Sequence, residues 1–531
     1  MMEKLSPAQR KKLQVKLDDL IKISSNLEKM QRLGRDSSPP NVSGEADPSS
    51  AAQEFDAPTL AVTDSRDGTT STRALTEVGN AQRLFDLYEN QFLYIADVKS
   101  WVVWRDESWR WDISGSDIRS AAALLSLKIY SEGTGFTLDQ SLHFAKWGRS
   151  SQNCRTIDAA ISLLSDHQRV RMQLSMIDAD PMLVGFSQAR QIIDLRTGIV
   201  RAASQSDYIT KSLTPGTLGE SAKAKRWHLF LDQIFEGNKE LIDWLHRWCG
   251  YLLTGSTSEQ FFLFLFGLGA NGKSVFGELI KHVMGDYGRT VASETLTETK
   301  RQAGGATPDL ADLIGCRLAM SSETEDGSAL AEALIKSLTS GDTITARQLY
   351  SKPVQFQPAF KLLMVGNHRP VIRGNDYGIW RRVRLVPFTK IFTESERDPK
   401  LLDKLKAESP HILAWMIQGC LEWQRRGLAD VPDVVGNQTA QYRQEQDVIG
   451  QWLGECTSVD GASEMETGEL YLSYRKWATN AGLKPASKIS IGRRLSERGY
   501  TLRQSSGKRI WCGLALKVSN YAPYRDEDDC F

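Results

Sequence analysis

The chain has 531 residues, 41% of them apolar and 25% charged, which is ordinary globular usage; a wholly disordered polymer is excluded and about three or four domains are expected. Its longest apolar run, Phe261 to Phe266, falls far short of the ~20 residues of a membrane helix, and its charged N-terminus lacks the apolar centre of a signal peptide. Net charge is +1, so no field of one sign covers the molecule, and seven scattered cysteines without metal-site spacing predict free thiols in a reducing, cytoplasmic compartment.

Residues 6–34 predict a helix. Leu13, Leu20 and Leu27 fall seven apart with Ile23 and Met30 at the complementary positions, but Lys16 breaks the second row, so docking and dimerisation suit it equally. Basic residues outnumber acids nine to five over 1–36. Residues 37–75 are rich in Ser, Thr, Pro, Gly and Asp and cannot bury enough apolar surface to offset ordering, which predicts a flexible linker. An α+β domain is expected over 76–225. Its strands are Phe92–Ile95, Trp101–Trp104 and the stretch around Trp109 and Trp111; helices cover 116–175, and short strands return over 180–200 with a hairpin turn at Arg196-Thr197-Gly198. A second domain is expected over 226–445, with an apolar-periodic helix pair over 226–252, alternating strands and helices over 261–390, and helices over 398–427. A last compact unit spans 446–519 and is followed by an acidic tail, 520–531. Over 460–517 basic residues outnumber acids eleven to five, and two basic ends on a neutral body suit a polyanion partner.

The chemistry is concentrated after Phe266. Gly267-Leu268-Gly269-Ala270-Asn271-Gly272-Lys273-Ser274, followed by a helix from about Val275, fits G-x-x-x-x-G-K-[ST] in full, between an apolar strand and a helix. Glycines let successive N–H groups turn inward around phosphate oxygens, and the helix N-terminus adds its positive end. Lys273 is expected to reach the β and γ phosphates of ATP and the Ser274 hydroxyl to hold Mg²⁺. A strand over 317–322 delivers Glu323, the candidate for orienting water and supporting the metal, with Glu325 in reserve. A strand over 360–366 ends at Asn367, whose amide can hold the attacking water or the γ-phosphate. Arg381 and Arg382 follow in Trp380-Arg381-Arg382-Val383-Arg384, and an arginine on a γ-phosphate is worth about 10³–10⁵ in rate.

The runs GLGANGKS, SSETED, IKSLTSGDTITARQLY, FKLLMVGNHRP and GIWRRVRLVPF, in that order over roughly 261–390, resemble the superfamily 3 helicases, and within them the poxvirus-type and satellite-phage primase-helicase group. The pieces W..W....W.WD, IIDLRTG and WLHRWCGYLLTG over about 80–250 are similar to the helicase-associated N-terminal region of that group. GELYLSYRKWATNAG with the strand pair near 500–514 resembles its winged-helix tail. The resemblance implies an α/β, AAA+-like P-loop ATPase domain with an α+β N-terminal domain and a C-terminal winged helix. It further implies a homo-hexameric ring that hydrolyses ATP between subunits and translocates on single-stranded and forked DNA.

By the same resemblance Lys273 and Ser274 are Walker A, Glu323 is the Walker B acid, Asn367 is sensor 1 and Arg382 is the arginine finger, with Arg381 as the alternative. Lys336 opens the motif before a DNA-binding hairpin that runs through Arg347, Tyr350 and Lys352 to Phe356, a basic and aromatic tip suited to stacking and phosphate contact. Two departures stand out. Ser322 occupies the place of a first Walker B acid, and no primase active site precedes the shared region, so a separate primase or other replication protein is an expected partner. In the last unit Arg493, Arg494, Arg498, Lys508 and Arg509 gather on the helix and wing, where they suit duplex phosphates as well as a solvated surface. The expected function is an ATP-dependent replicative DNA helicase of a mobile element or virus. The alternatives are an ATP-gated origin-binding initiator that melts or marks DNA and an ATPase that remodels protein.

Overall fold

The computed structural model describes residues 73–298, 307–322, 327–347, 352–374, 377–505 and 507–517. The expected helix over 6–34, most of the linker and the acidic tail lie outside these. The described chain is α/β and divides into two compact units, one ending at Thr217 and also holding Gly285–Tyr287, the other holding Leu218–Met284 and everything from Gly288 onward.

In the first unit helix α1 (Glu77–Tyr88) begins at Thr76, whose hydroxyl accepts from the Gly79 amide at 3.1 Å, an N-cap that satisfies one orphan donor. Strands β1 (Phe92–Ile95), β2 (Ser100–Arg105) and β3 (Ser108–Asp112) form an antiparallel meander, extended by the parallel β4 (Arg171–Met172) in the order β3-β2-β1-β4. Asp106 and Glu107, both at positive φ, make the two-residue turn between β2 and β3, because a mirror-image turn matches the right-handed strand twist. Four helices lie between β3 and β4: α2 (Ser116–Ala123), α3 (Leu125–Glu132), α4 (Leu138–Ser150) and α5 (Cys154–Ser165). Strands β5 (Leu183–Phe186), β6 (Gln191–Asp194) and β7 (Ile199–Ala202) form a second antiparallel sheet, with the hairpin turn at Arg196–Gly198. Tyr287 belongs to this unit through its hydroxyl, which accepts from the Gly185 amide at 2.9 Å.

The second unit opens with the helix pair α6 (Lys225–Ile234) and α7 (Lys239–Leu252). Its centre is a five-stranded, all-parallel sheet of β8 (Phe262–Phe266), β9 (Gly288–Thr290), β10 (Leu318–Ser322), β13 (Lys361–Gly366) and β14 (Val383–Pro387), ordered β14-β8-β13-β10-β9. Parallel strands covered on both faces read as near-continuous apolar runs rather than alternating, and Phe262 to Phe266 contains no polar residue. Phe262, Phe264, Leu362, Met364 and Leu385 join one core with Ile335 and Leu338 of α9 (Glu332–Ser340). The other face meets α8 (Lys273–Met284), where Gly277 lies so close that a Cβ would stand 3.1 Å from Met320 Sδ. Strands β11 (Ile344–Ala346) and β12 (Val354–Phe356) form a separate two-stranded hairpin.

Helix α7 packs on α11 (Ser409–Arg426), which follows α10 (Leu401–Ala407). The crossing is possible because Gly250 and Gly419 lack side chains: a Cβ would stand 2.0 Å from Cys420 N at the first and 2.1 Å from His246 O at the second. At the C-terminal end of α7, Arg317 Nη1 donates to Leu253 O, and Lys361 Nζ donates to Thr254 O and, at 3.3 Å, to Ser256 O. These two buried cations answer the helix's negative end, and burial holds the Lys361 ammonium well below the usual lysine range. Nearby, burial pushes the Cys420 thiol up to about 12, and all six described cysteines are free.

His246, half-buried in the same crossing, donates through Nε2 to Trp415 O at 2.7 Å, and partial burial lowers its pKa below the ordinary value. The unfolded chain therefore takes up that proton first: stability from this group is complete above pH ~6.5 and is lost as pH falls below it. The urea midpoint is expected to drop between about pH 7 and 5, and His246→Gln, which keeps a donor for Trp415, to flatten part of that drop. An identical pH profile in the variant would contradict this.

Past α11 come α12 (Asp433–Gln446), α13 (Val448–Cys456), β15 (Thr457–Glu466), α14 (Thr467–Asn480), α15 (Lys488–Glu497), β16 (Thr501–Ser505) and β17 (Lys508–Leu516). The last three strands form an antiparallel sheet ordered β15-β17-β16. Trp452, Tyr474, Leu495 and Trp511 lie in a core of their own. Tyr474 and Trp477 therefore serve packing rather than stacking on a ligand: Tyr474 is buried and Trp477 packs against that core. No described helix is long and apolar enough to cross a membrane.

Candidate functional site: the phosphate loop and its neighbours

Strand β8 has a neighbour on each side, β13 and β14, both contributed from later in the chain. The crevice beyond the carboxyl ends of parallel strands at such a switch point is where ligands bind. Register brings the three ends level, since Phe266 pairs with Gly366 on one side and Pro387 on the other.

The loop from Gly267 to Gly272 rises from this point. Gly269, Ala270 and Gly272 take positive φ, 103°, 48° and 85°. Gly272 could not carry a side chain in any case, because a Cβ would stand 2.8 Å from Ile234 Cγ2. A Cβ on Gly267 would stand 2.1 Å from Asn271 Nδ2, which donates to Phe388 O at 3.3 Å and so braces the loop against the end of β14. The Phe392 amide donates to Ala270 O at 2.9 Å and closes the other side.

Lys273, the first residue of α8, is buried. Its ammonium donates to Gly267 O at 3.0 Å and to Asn367 Oδ1 at 2.5 Å. One cation thus ties the phosphate loop to the first residue beyond β13. Ser274 is exposed in the first turn of α8, Val275 is half-buried, and Leu268 is 81% exposed at the loop's tip. Strand β10 ends at Ser322, which pairs with Val365; Glu323 and Glu325 lie outside the described residues. Among those described, no group of three or more His, Cys, Asp or Glu gathers as a metal site. Ser274 offers a hydroxyl, a ligand type Mg²⁺ accepts, and Mg²⁺ binds through few protein ligands and keeps several waters.

The two candidate arginines differ sharply. Arg382 is buried, with Nε donating to Thr339 Oγ1 at 3.0 Å and Nη1 to Gly378 O at 2.5 Å. Arg381 is exposed, and both its Nη atoms donate to Gln260 Oε1 at 3.1 Å. The expectation that Arg382 reaches a phosphate meets a side chain already committed to the core, and Arg381 is the member of the pair that faces solvent. Arg384 lies beneath, its guanidinium 5.0 Å from the Phe261 ring and its pKa lowered by burial.

Of the expected DNA contacts, Arg347 follows β11 and is half-buried, its amide donating to Thr307 Oγ1 and its carbonyl accepting from the Thr307 amide; Lys352 is exposed; Tyr350 lies outside the described residues. Arg493 is 73% exposed and 3.7 Å from Glu497, and Arg509 is exposed. Lys508 pairs with Glu466 at 2.8 Å. Arg494 donates through Nη2 to Arg373 O at 3.1 Å, and Arg498 pairs with Asp447. Arg369 went unremarked in the sequence because it stands in a His-Arg-Pro turn. Its Nη2 lies 2.5 Å from Glu445 Oε2 and its guanidinium covers the Phe266 ring.

Residues 81–236 match a family model described as D5 N terminal like, and residues 265–382 match a family of unknown function, DUF5906. The chain is 29% identical over 326 residues to a protein of Acanthamoeba polyphaga mimivirus named "Putative helicase L207/L206", covering 57% of this chain and 34% of that one. It is 30% identical over 247 residues to "Putative helicase 022R" of Frog virus 3, covering 42% and 25%. It is 22% identical over 272 residues to "Putative primase C962R" of African swine fever virus, covering 48% and 28%. The chain thus spans only a quarter to about a third of these relatives' lengths. The solved C terminal region of NrS-1 superposes with a TM-score of 0.44 at 10% identity, over 82% of this chain and 98% of that one.

Proposed function

We propose that this chain, which belongs to the viral primase-helicase family, is an ATP-driven DNA helicase of the superfamily 3, AAA+ type, hydrolysing ATP between the subunits of a homo-hexameric ring. The observation that carries the reading is the Lys273 ammonium, bonded to both Gly267 O and Asn367 Oδ1. It sets one cation and one amide where a γ-phosphate would lie if the β and α phosphates occupy the loop.

In this reading the N–H groups of Gly267, Gly269, Ala270, Asn271, Gly272, Lys273, Ser274 and Val275 line the phosphates. Ser274 and Glu323 would hold Mg²⁺, which neutralises charge on the β and γ phosphates when bound. Glu323 orients the attacking water and Asn367 fixes its line of approach. Arg381 completes the site from a neighbouring copy. Arg347, Tyr350 and Lys352 on the β11–β12 hairpin engage single-stranded DNA in the ring's channel. The helix-and-sheet module over 448–516 is read as a winged helix whose exposed Arg493 and Arg509 approach duplex phosphates. A separate primase or replication protein is the expected partner, and single-stranded and forked DNA the substrates. The exposed Arg493 also favours a second reading, in which the chain marks or melts an origin without processive unwinding.

The test is phosphate release by the purified full chain with and without single-stranded DNA, beside strand displacement on a forked duplex. DNA-stimulated release with displacement supports the helicase. Release indifferent to DNA together with specific duplex binding supports the origin-marking reading. Indifference to every DNA sinks both.

A further inference from the structure

The segment over 367–374 leaves β13 at Asn367 and is held along its length by the elements around it. Arg369 stands two residues beyond Asn367. Its guanidinium carbon lies 4.9 Å from the Phe266 ring centroid and 5.2 Å from that of Tyr442, and Glu445 Oε2 is 2.5 Å from Nη2. Phe266 is the residue immediately before Gly267, so one side chain spans the base of the phosphate loop, the exit of β13 and helix α12. The Tyr442 hydroxyl donates to Pro370 O, and the Ile372 amide donates to Gln446 Oε1 at 3.2 Å. The Gly374 amide donates to Glu332 Oε1 at 2.6 Å.

Only 23% of the Arg369 side chain is exposed, and the carboxylate and two aromatic faces hold its guanidinium in place. The fork therefore steadies the segment that carries Asn367, whose Oδ1 lies within bonding distance of Lys273. Removing it leaves Asn367 on a segment free to shift by a fraction of an ångström, the scale on which positioning controls rate.

We propose that Arg369, clamped by Glu445, is a positioning residue for Asn367. The far end of the same segment takes the hydrogen bond from Arg494 of α15, and Glu445 lies near the end of α12, beside Asp447, which holds Arg498. This inference rests on reading the phosphate loop as an ATP site.

The test uses the full chain and measures kcat and KM for ATP, the affinity for a fluorescent ATP analogue, and the melting temperature. Arg369→Ala is expected to lower kcat by about ten- to a hundredfold while analogue affinity stays within about threefold of wild type. Arg369→Lys, which keeps the charge beside Glu445, recovers part of the loss. Glu445→Gln lowers kcat in the same direction, and the double variant Arg369→Ala/Glu445→Gln is no worse than Arg369→Ala alone, because the two act as one unit. Wild-type kcat in Arg369→Ala overturns the proposal; so does a loss of kcat that merely follows lost affinity and melting temperature. If Arg369→Ala does not fold, Glu445→Gln decides, and an unchanged kcat there overturns it equally. A Lys273→Ala control that still turns over ATP would locate the failure in the ATP-site reading instead.

Discussion

Lys273→Ala is expected to abolish ATP turnover and strand displacement while leaving the fold in place. The ammonium contacts both the phosphate loop, at Gly267 O, and Asn367, and it brings a positive charge to the expected γ-phosphate. Loss of a preorganised donor of this kind costs about 10²–10³ in rate, and a full charge costs at least as much. The structural penalty is small by comparison. Asn367 is exposed, so water replaces the lost donor at Oδ1 for about 1 kcal/mol, and the buried Gly267 carbonyl left without its donor adds about 1–3 kcal/mol. Helix α8 keeps its packing through the buried Phe276, Leu279 and Ile280. Phosphate release at background level, with a melting temperature within a few degrees of wild type, is the result to look for. Wild-type release would remove the phosphate loop from the chemistry and with it the whole site.

The phosphate loop is legible in sequence because its requirements are local. Positive φ at Gly269 and Gly272, and close approach at Gly267 and Gly272, can be met only by particular residue types at particular positions, so eight contiguous residues spell the feature. The strand before it is equally plain, since a strand covered on both faces reads as a near-continuous apolar run. Features that depend on strand register or burial are not written in this way. Arg381 and Arg382 are chemically alike and adjacent; only the packing against Thr339 and Gly378 decides which faces inward. Arg494 and Arg498 carry the charge of DNA-binding residues, yet their partners, a backbone carbonyl 121 positions away and Asp447, cannot be seen from their own neighbourhood. Helix α12 escaped notice because Asp433–Gln446 is mostly polar, with Val435 and Tyr442 its only buried hydrophobics. Its position on β14 supplies an amphipathicity its own sequence lacks, and with it the partner of Arg369.

Arg381→Ala is expected to lose ATP turnover as completely as Lys273→Ala, and a mixture of the two to regain part of it. The reasoning is geometric. Strand β14 runs parallel to β8, with Val383 level with Phe262 at one end and Pro387 level with Phe266 at the other. Arg381 precedes Val383 by two residues, so about five residues of strand, at ~3.3 Å each, separate it from the phosphate loop of its own chain. That is roughly 15 Å or more, about twice the reach of an extended arginine. An exposed arginine at the far end of β14 cannot reach the phosphate loop of its own chain, and in the proposed ring it would serve the site of a neighbouring copy. Mixed assemblies then contain some interfaces with an intact Lys273 from one chain and an intact Arg381 from the other, and only those turn over. Arg382→Ala offers the contrast: it removes the bonds to Thr339 and Gly378 inside the core and should lower the melting temperature in parallel with activity, without rescue beyond what refolding explains. Rescue seen for the Arg382 variant and not for the Arg381 variant would reverse the assignment. Rescue in neither, with subunit exchange demonstrated by a tagged copy, would mean that no arginine of this pair acts across an interface.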